Sequence, residues 1–226
     1  AAVERSLQAP EFTAAAKPFL EALRSRLSAR LAQGAGIEIL IGQYREAIDV
    51  LVRKAWEIAL PADAMLALVA TGGYGRGELY PHSDIDVLIC GGESEQARHA
   101  GAIAGFSAML WDAGLKLGLA VRSIDQCLEV GRADPSTYTA LLETRYLAGD
   151  TALPQALESA VRSPEVFEAR EYFEAKRIEQ RHRHAKFHNT ADNLEPNLKE
   201  GPGGLRDFHT LNWLAKKLYG VPSLAG

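Results

Sequence analysis

The stretch GGYGRGELYPHSDIDV, residues 72–87, decides how the sequence is interpreted. It joins two short apolar runs, MLALVA at 65–70 and IDVLIC at 85–90. The continuous run at 65–70 predicts a strand that is buried on both faces, whereas the second strand starts as an alternation of acidic and apolar residues. The glycines that follow the first run predict a tight turn, and the Asp-x-Asp opens the second strand. The sequence therefore predicts two strands joined through a Gly-rich turn.

The Asp-x-Asp, Asp84 and Asp86, is the first candidate for chemistry. Alternate residues of a strand face the same side, so the two carboxylates are expected to point together while Ile85 and Val87 point into the core. Neighbouring carboxylates repel each other unless a cation lies between them. Mg²⁺ prefers oxygen ligands and commonly shares its coordination shell with substrate phosphates. Asp84 and Asp86 are therefore predicted to be catalytic residues that hold Mg²⁺.

The Gly-rich turn supplies the candidates for phosphate binding. Gly72 and Gly73 lack side chains, so the backbone can approach a phosphate closely. Arg76 lies in the same turn, where a guanidinium can bind phosphate through two donors. Ser83 either caps the following strand or contacts phosphate. Each feature alone is typical of an ordinary turn or a solvated strand edge, but together they indicate a nucleotidyl-transfer site that uses two metal ions.

These residues resemble a known family. Gly-Gly followed by Asp-x-Asp is typical of the DNA polymerase beta-like nucleotidyltransferases, and residues 72–89 are similar to the N-terminal domain of the bacterial PII-protein uridylyltransferases. A second string, NLEPNLKEGPGGLRD at 193–207, is typical of the same family. The resemblance implies transfer of UMP from UTP to a tyrosine hydroxyl of a PII-type signal protein, with release of pyrophosphate. Lys199 and Arg206 flank the Gly-Pro-Gly-Gly turn of the second string, which is either a structural loop or, as the resemblance implies, a segment that places them near the nucleotide or docks the helical part on the sheet.

The chain departs from the superfamily in one respect. A third carboxylate is usual on a later strand, but the run KLGLAVR at 116–122 contains none, and the nearest acidic residue is Asp125. This departure keeps open a nucleotide-binding module without catalysis. Another polymerase beta-like activity, adenylyl transfer to a protein or a small molecule, also stays open because the sequence shows neither the base nor the acceptor.

Apolar spacing and Gly or Pro punctuation predict the remaining elements. The expected fold is α/β (α+β), with a mixed nucleotidyltransferase sheet and helical segments on both sides of it in the chain. The predicted domains are a helical segment 1–62, a core 63–163 and a helical segment 164–226. Predicted helices cover 14–31, 37–60, 95–113, 124–132, 165–186 and 206–219, and predicted strands cover 65–70, 84–89 and 117–122. The basic stretch 176–188 is either a solvated helix face or a basic wall for triphosphate or an acidic partner.

Composition limits the function classes. The 226 residues include 29 acidic and 25 basic side chains, a formal charge of −4 that argues against a nucleic-acid coat or a membrane-surface protein. Cys90 and Cys127 match no zinc pattern and indicate a reducing, cytoplasmic setting. No apolar run reaches the length of a membrane span. Because the sequence starts with Ala1 and ends abruptly, it is interpreted as a piece of a longer protein.

Overall fold

A computed structural model describes residues 9–191 and 194–220, which form two compact units. Unit 1 holds the residues up to Gln126 together with Glu143–Leu157. Unit 2 holds Cys127–Leu142 and the residues from Glu158 onward. The three predicted segments, 1–62, 63–163 and 164–226, stay a prediction, and the first and the last of them include residues outside the described ranges.

The sheet of unit 1 is mixed and has the strand order β3-β2-β1-β4. The strands are β1 Leu66–Ala70, β2 Ile85–Gly91, β3 Leu117–Arg122 and β4 Arg145–Gly149. β1 pairs antiparallel with both β2 and β4, whereas β2 and β3 are parallel. A parallel pair needs a long crossover, which helices α4 (Glu93–Arg98) and α5 (Ala100–Asp112) provide. The predicted fold class is confirmed.

Two long helices precede the sheet, α1 Ala9–Ala32 and α2 Ile37–Ala59. Their apolar faces and that of α5 pack with one face of the sheet into a single core. Trp56 of α2 meets Phe106 of α5 edge to face, with ring centroids 5.7 Å apart. This core fixes β1 and β2, the strands that flank the Gly-rich turn.

Three predictions within unit 1 require correction. The Gly-rich turn contains a short helix, α3 (Gly72–Gly75). The helix expected over 95–113 is two helices that meet at His99. Strand β4 was not predicted, because a five-residue edge strand with mostly half-exposed side chains carries little apolar periodicity.

Unit 2 is helical, as its sequence predicts. The remaining helices are α6 Ile124–Ala133, α7 Pro135–Leu141, α8 Ala152–Arg162, α9 Ala169–Ala185 and α10 Leu205–Tyr219. Helices α6 and α8 belong only in part to unit 2. Helix α8 was not predicted. Asp134 caps α7 by accepting hydrogen bonds from the backbone of Ser136 and Thr137. Among the described residues, no helix combines the length and the apolar character that a membrane crossing needs.

Candidate active site

The paired carboxylates lie where β2 begins. Asp84 immediately precedes the strand and Asp86 is its second residue. Ile85 and Val87 are each 2% exposed and belong to the core, whereas both aspartates are exposed. The predicted alternation is confirmed where the strand starts, because Ile85 and Val87 are buried on one face and the two carboxylates are exposed on the other.

The electrostatics of this pair suit a cation. Partial burial of its carboxylate, reinforced by the negative charge of Asp84, raises the pKa of Asp86 above its ordinary value. Within the described ranges, no side chain or backbone group makes a hydrogen bond or an ion pair with either carboxylate. A hard divalent cation would relieve the repulsion and bind its preferred oxygen ligands. The donor set therefore fits Mg²⁺, although the described residues contain no cluster of three metal-binding side chains.

The first residues of the Gly-rich turn lie next to Asp86. The backbone N–H of Thr71 donates to the carbonyl oxygen of Asp86 over 2.9 Å. Gly72 has a φ of +57°, a conformation that side chains disfavour, and a Cβ built on it would lie 3.8 Å from Oδ2 of Asp86. Gly73 has an ordinary φ, and a Cβ there would lie 3.4 Å from the carbonyl oxygen of Glu78. The structure thus brings the first predicted phosphate-binding residues together with a predicted metal ligand.

A buried network holds the turn in place. The hydroxyl of Tyr74 donates to Oδ1 of Asp49 over 2.6 Å. Arg145 donates to both oxygens of Asp49, over 2.7 and 3.0 Å, and to the carbonyl oxygen of Tyr74 over 3.3 Å. Burial, followed by the charge of Asp49, raises the pKa of the Tyr74 hydroxyl. The network ties α3 to α2 and β4, so the glycine backbone has a fixed position beside β2.

Arg76 and Ser83 occupy different environments. The guanidinium of Arg76 pairs with Glu78 over 3.0 Å and also with the buried carboxylate of Glu143. Ser83 is exposed, and its backbone N–H donates to the carbonyl oxygen of Tyr80 over 3.0 Å. Arg76 lies next to Gly73, since a Cβ on Gly73 would be 3.7 Å from its Nη2. Phosphate binding by Arg76 and Ser83 stays a prediction.

Lys199 and Arg206 lie in unit 2, whereas the other predicted site residues lie in unit 1. The two are linked directly, because the backbone N–H of Arg206 donates to the carbonyl oxygen of Lys199 over 2.8 Å. The Arg206 side chain donates to Glu200 over 3.2 Å, and its guanidinium lies 5.5 Å from the centre of the Trp213 ring. Their contact with nucleotide also stays a prediction.

Strand β3 adds a residue that sequence reasoning missed. Gly118 pairs with Asp86 in the parallel ladder, and a Cβ built on Gly118 would lie only 2.3 Å from Oδ1 of Asp86. The carboxylate therefore lies over the bare backbone of β3. Asp125 does not provide a third carboxylate beside this pair. It follows Arg122, whose partner Cys90 lies four residues, about 13 Å, along β2 from Asp86.

Asp207, the last residue of the second string, is a hydrogen-bonding centre of unit 2. It accepts hydrogen bonds from Gln180 (2.8 Å), Arg183 (2.6 Å), His184 (2.9 Å) and the backbone N–H of Gly203 (2.7 Å). Burial opposes its ionisation, but the bonds from Gln180, Arg183 and Gly203 outweigh burial and lower its pKa to about 2. Asp207 thereby fastens the GPGG loop to α9.

The basic stretch 176–188 is only in part a solvated face. Lys176 is 2% exposed and Arg183 is 8% exposed. The ammonium group of Lys176 lies 4.5 Å from the centre of the Trp213 ring and donates to Glu179 over 2.6 Å. Two of the cations of this stretch therefore serve the packing of α9 and α10.

Comparisons with known proteins identify a family for this chain. The profile of the nucleotidyltransferase family DUF294 matches residues 21–121, and that of the GlnD PII-uridylyltransferase family matches residues 171–226. The bifunctional uridylyltransferase/uridylyl-removing enzyme of Xanthomonas axonopodis pv. citri (strain 306) is 47% identical over 214 residues, 95% of this chain. The chain belongs to the PII-uridylyltransferase family. The corresponding enzyme of Stutzerimonas stutzeri (strain A1501) is 44% identical over 93% of the chain.

The matches divide between the two units. The nucleotidyltransferase profile falls within unit 1 and covers the glycines, both aspartates and Gly118, whereas the PII-uridylyltransferase profile falls within unit 2 and covers Asp207. The chain spans about a quarter, 24%, of the length of these curated relatives. The expectation that the sequence resembles this family is confirmed.

Proposed function

We propose that this chain carries the nucleotidyl-transfer site of its family and transfers UMP from UTP to a tyrosine hydroxyl of a PII-type signal protein in the cytoplasm. One observation carries the proposal. The carboxylate of Asp86 lies between Gly72 and Gly118, beside Asp84, at the point where a Gly-rich turn exposes its backbone. A cation-binding pair next to a phosphate-binding turn is the arrangement that nucleotidyl transfer needs.

In this proposal, Asp84 and Asp86 hold Mg²⁺. When bound, Mg²⁺ neutralises triphosphate charge and lowers the pKa of the attacking hydroxyl. Gly72 and Gly73 let the triphosphate lie against the backbone, and the Tyr74–Asp49–Arg145 network keeps that backbone in place.

The reaction then depends mainly on positioning. The tyrosine oxygen forms a bond to the α-phosphorus, the bond from that phosphorus to the pyrophosphate oxygen breaks, and the hydroxyl proton is released. Within unit 1, Arg76 and Ser83 are the proposed additional contacts to the nucleotide. For Arg76 this role requires exchange of a carboxylate partner for phosphate, since it pairs with Glu78 and Glu143.

A second candidate function is nucleotide binding without catalysis. It is favoured by the absence, among the described residues, of a third metal-binding side chain next to Asp84 and Asp86. A cation held by two carboxylates would take its other ligands from water and from the nucleotide phosphates. This module would bind Mg²⁺ and UTP but would leave the acceptor unmodified.

The test incubates the chain with Mg²⁺, a PII protein and one α-labelled nucleoside triphosphate at a time. The proposal expects label on the PII protein from UTP and none from the same reaction with the Asp86→Asn variant. Label from ATP instead would assign adenylyl transfer. UTP binding without any labelled protein would assign the silent module.

A further inference from the structure

Gly118 is in closer contact with Asp86 than any side chain would permit. A Cβ built on Gly118 would lie 2.3 Å from Oδ1, 3.5 Å from Cγ and 3.8 Å from Cα of Asp86. The first distance is far below the van der Waals contact of carbon and oxygen. Either the carboxylate or strand β3 would have to move if residue 118 had a side chain.

The backbone conformation of Gly118 does not explain why glycine occupies this position. Its φ is not positive, so any residue could adopt it. Glycine inside a strand is destabilising, because it loses more conformational freedom on folding and packs no side chain. Such a glycine often marks a place where another group approaches the backbone closely, and here that group is the carboxylate of Asp86.

An added methyl would displace the carboxylate and leave the strand in place. β3 is held to β2 by six consecutive residue pairs, from Ile85 with Leu117 to Cys90 with Arg122. The carboxylate of Asp86, in contrast, is the end of a rotatable side chain. Among the described residues it has no hydrogen bond that would resist rotation.

We infer that Gly118 is a positioning residue for uridylyl transfer, because its missing side chain allows Asp86 to lie across β3 with one oxygen over Gly118 and the other facing Gly72. The role of Gly118 in uridylyl transfer rests on the proposed function, whereas the placement of the Asp86 carboxylate over β3 is independent of it.

The experiment compares Gly118→Ala with the unchanged chain and with Gly105→Ala, a helix position where an added methyl meets nothing within 4 Å. Mn²⁺ binding in the presence of UTP is followed by electron paramagnetic resonance, and turnover is measured with a PII acceptor. Gly118→Ala is expected to bind Mn²⁺ at least about 10-fold more weakly and to lose on the order of 100-fold in kcat, since about 1 Å of misplacement has such an effect. The KM for the acceptor is expected to stay unchanged. Gly105→Ala is expected to keep the Mn²⁺ affinity and turnover of the unchanged chain, while its melting temperature should rise slightly, because alanine favours a helix interior over glycine.

Two double variants separate positioning from damage to the fold. Gly118→Ala should weaken Mn²⁺ binding no further once Asp86→Asn is present. The second double variant applies if Gly118→Ala lowers the melting temperature. The double variant Asp86→Ala/Gly118→Ala should then melt at the same temperature as Asp86→Ala, because the carboxylate that the methyl would contact has been removed. A double variant that stays unstable would overturn the inference.

A crystal structure of Gly118→Ala completes the test. The inference expects β3 in place and the Asp86 carboxylate turned away from Gly72, whether or not the chain binds Mn²⁺. A carboxylate that keeps its position would overturn it. If Mn²⁺ binding depends on Gly118 but no UMP is ever transferred, the positioning role stands and the proposed function fails.

Discussion

Two aspartates of this chain stand in opposite electrostatic environments. Asp86, in unit 1, has a raised pKa, the like charge of Asp84 beside it and no bonded partner among the described residues. Asp207, in unit 2, accepts hydrogen bonds from four donor groups and has a pKa of about 2. Both lie in strings that are typical of the family. The difference is what the proposed binding site requires of the first string, whereas Asp207 of the second string fastens a loop to a helix.

The largest expected effect is that of Asp86→Asn on transfer. We expect this variant to abolish labelling of the PII acceptor, because it removes a cation ligand. Its melting temperature should stay unchanged or rise slightly, since the substitution relieves repulsion from Asp84. Labelling and thermal unfolding of the same preparation measure both effects. Near-normal turnover would show that Asp86 holds no essential cation.

Gly73→Ala is expected to have the next largest effect, a loss on the order of 100-fold in UTP affinity or in turnover. The methyl would lie at ordinary contact distance from Glu78 and Arg76, so the fold should tolerate it while the phosphate loses its place. Gly72→Ala is the matched control, because its φ of +57° predicts a loss of about 1 kcal/mol or more in stability. A Gly73→Ala protein that is destabilised but binds UTP normally would contradict phosphate binding by this turn.

Asp207→Asn should show the reverse pattern of Asp86→Asn. Its carboxylate accepts charge-assisted hydrogen bonds from Arg183 and His184, so we expect a loss of about 2 kcal/mol in the free energy of unfolding. Urea denaturation measures this loss, with Asp86→Asn as the control of the same chemical change. Equal stability of the two variants would remove the distinction between a binding site and a fastened loop.

The smallest effect is the pH dependence that Asp207 adds. Its pKa is about 2 in the folded chain, below the usual value of about 3.9 for an unfolded aspartate. The folded state therefore binds this proton more weakly, so the stabilisation is fully present above about pH 4 and is lost as the pH falls towards 2. Unfolding measured at pH 2 to 5 should show the wild-type and Asp207→Asn curves converging in acid. Parallel curves would contradict the assignment.

The sequence predicted the parts of the fold that are encoded locally. β1, β2 and β3 follow from apolar runs bounded by Gly or polar residues. β4 and α8 were missed, because the half-exposed edge strand Arg145–Gly149 lacks a clear alternation and its partner β1 lies more than 70 residues earlier in the chain. Pairing of that kind is decided by tertiary contacts.

For the site, the sequence predicted which residues face outward but not what approaches them. The exposure of Asp84 and Asp86 follows from strand alternation. The role of Gly118 depends on the register between β2 and β3, which no local pattern reports. The burial of Lys176 under Trp213 likewise depends on the packing of α9 against α10, which no local pattern reports.

The central claim is that Asp84 and Asp86 hold the cation of a nucleotide lying on the Gly-rich turn. Anomalous diffraction from crystals grown with Mn²⁺ and a non-hydrolysable UTP analogue tests it most directly. The account predicts a manganese peak at about 2.0–2.3 Å from carboxylate oxygens of both aspartates, with the triphosphate against Gly72 and Gly73. A nucleotide and a manganese peak bound elsewhere, with both carboxylates free, would contradict it.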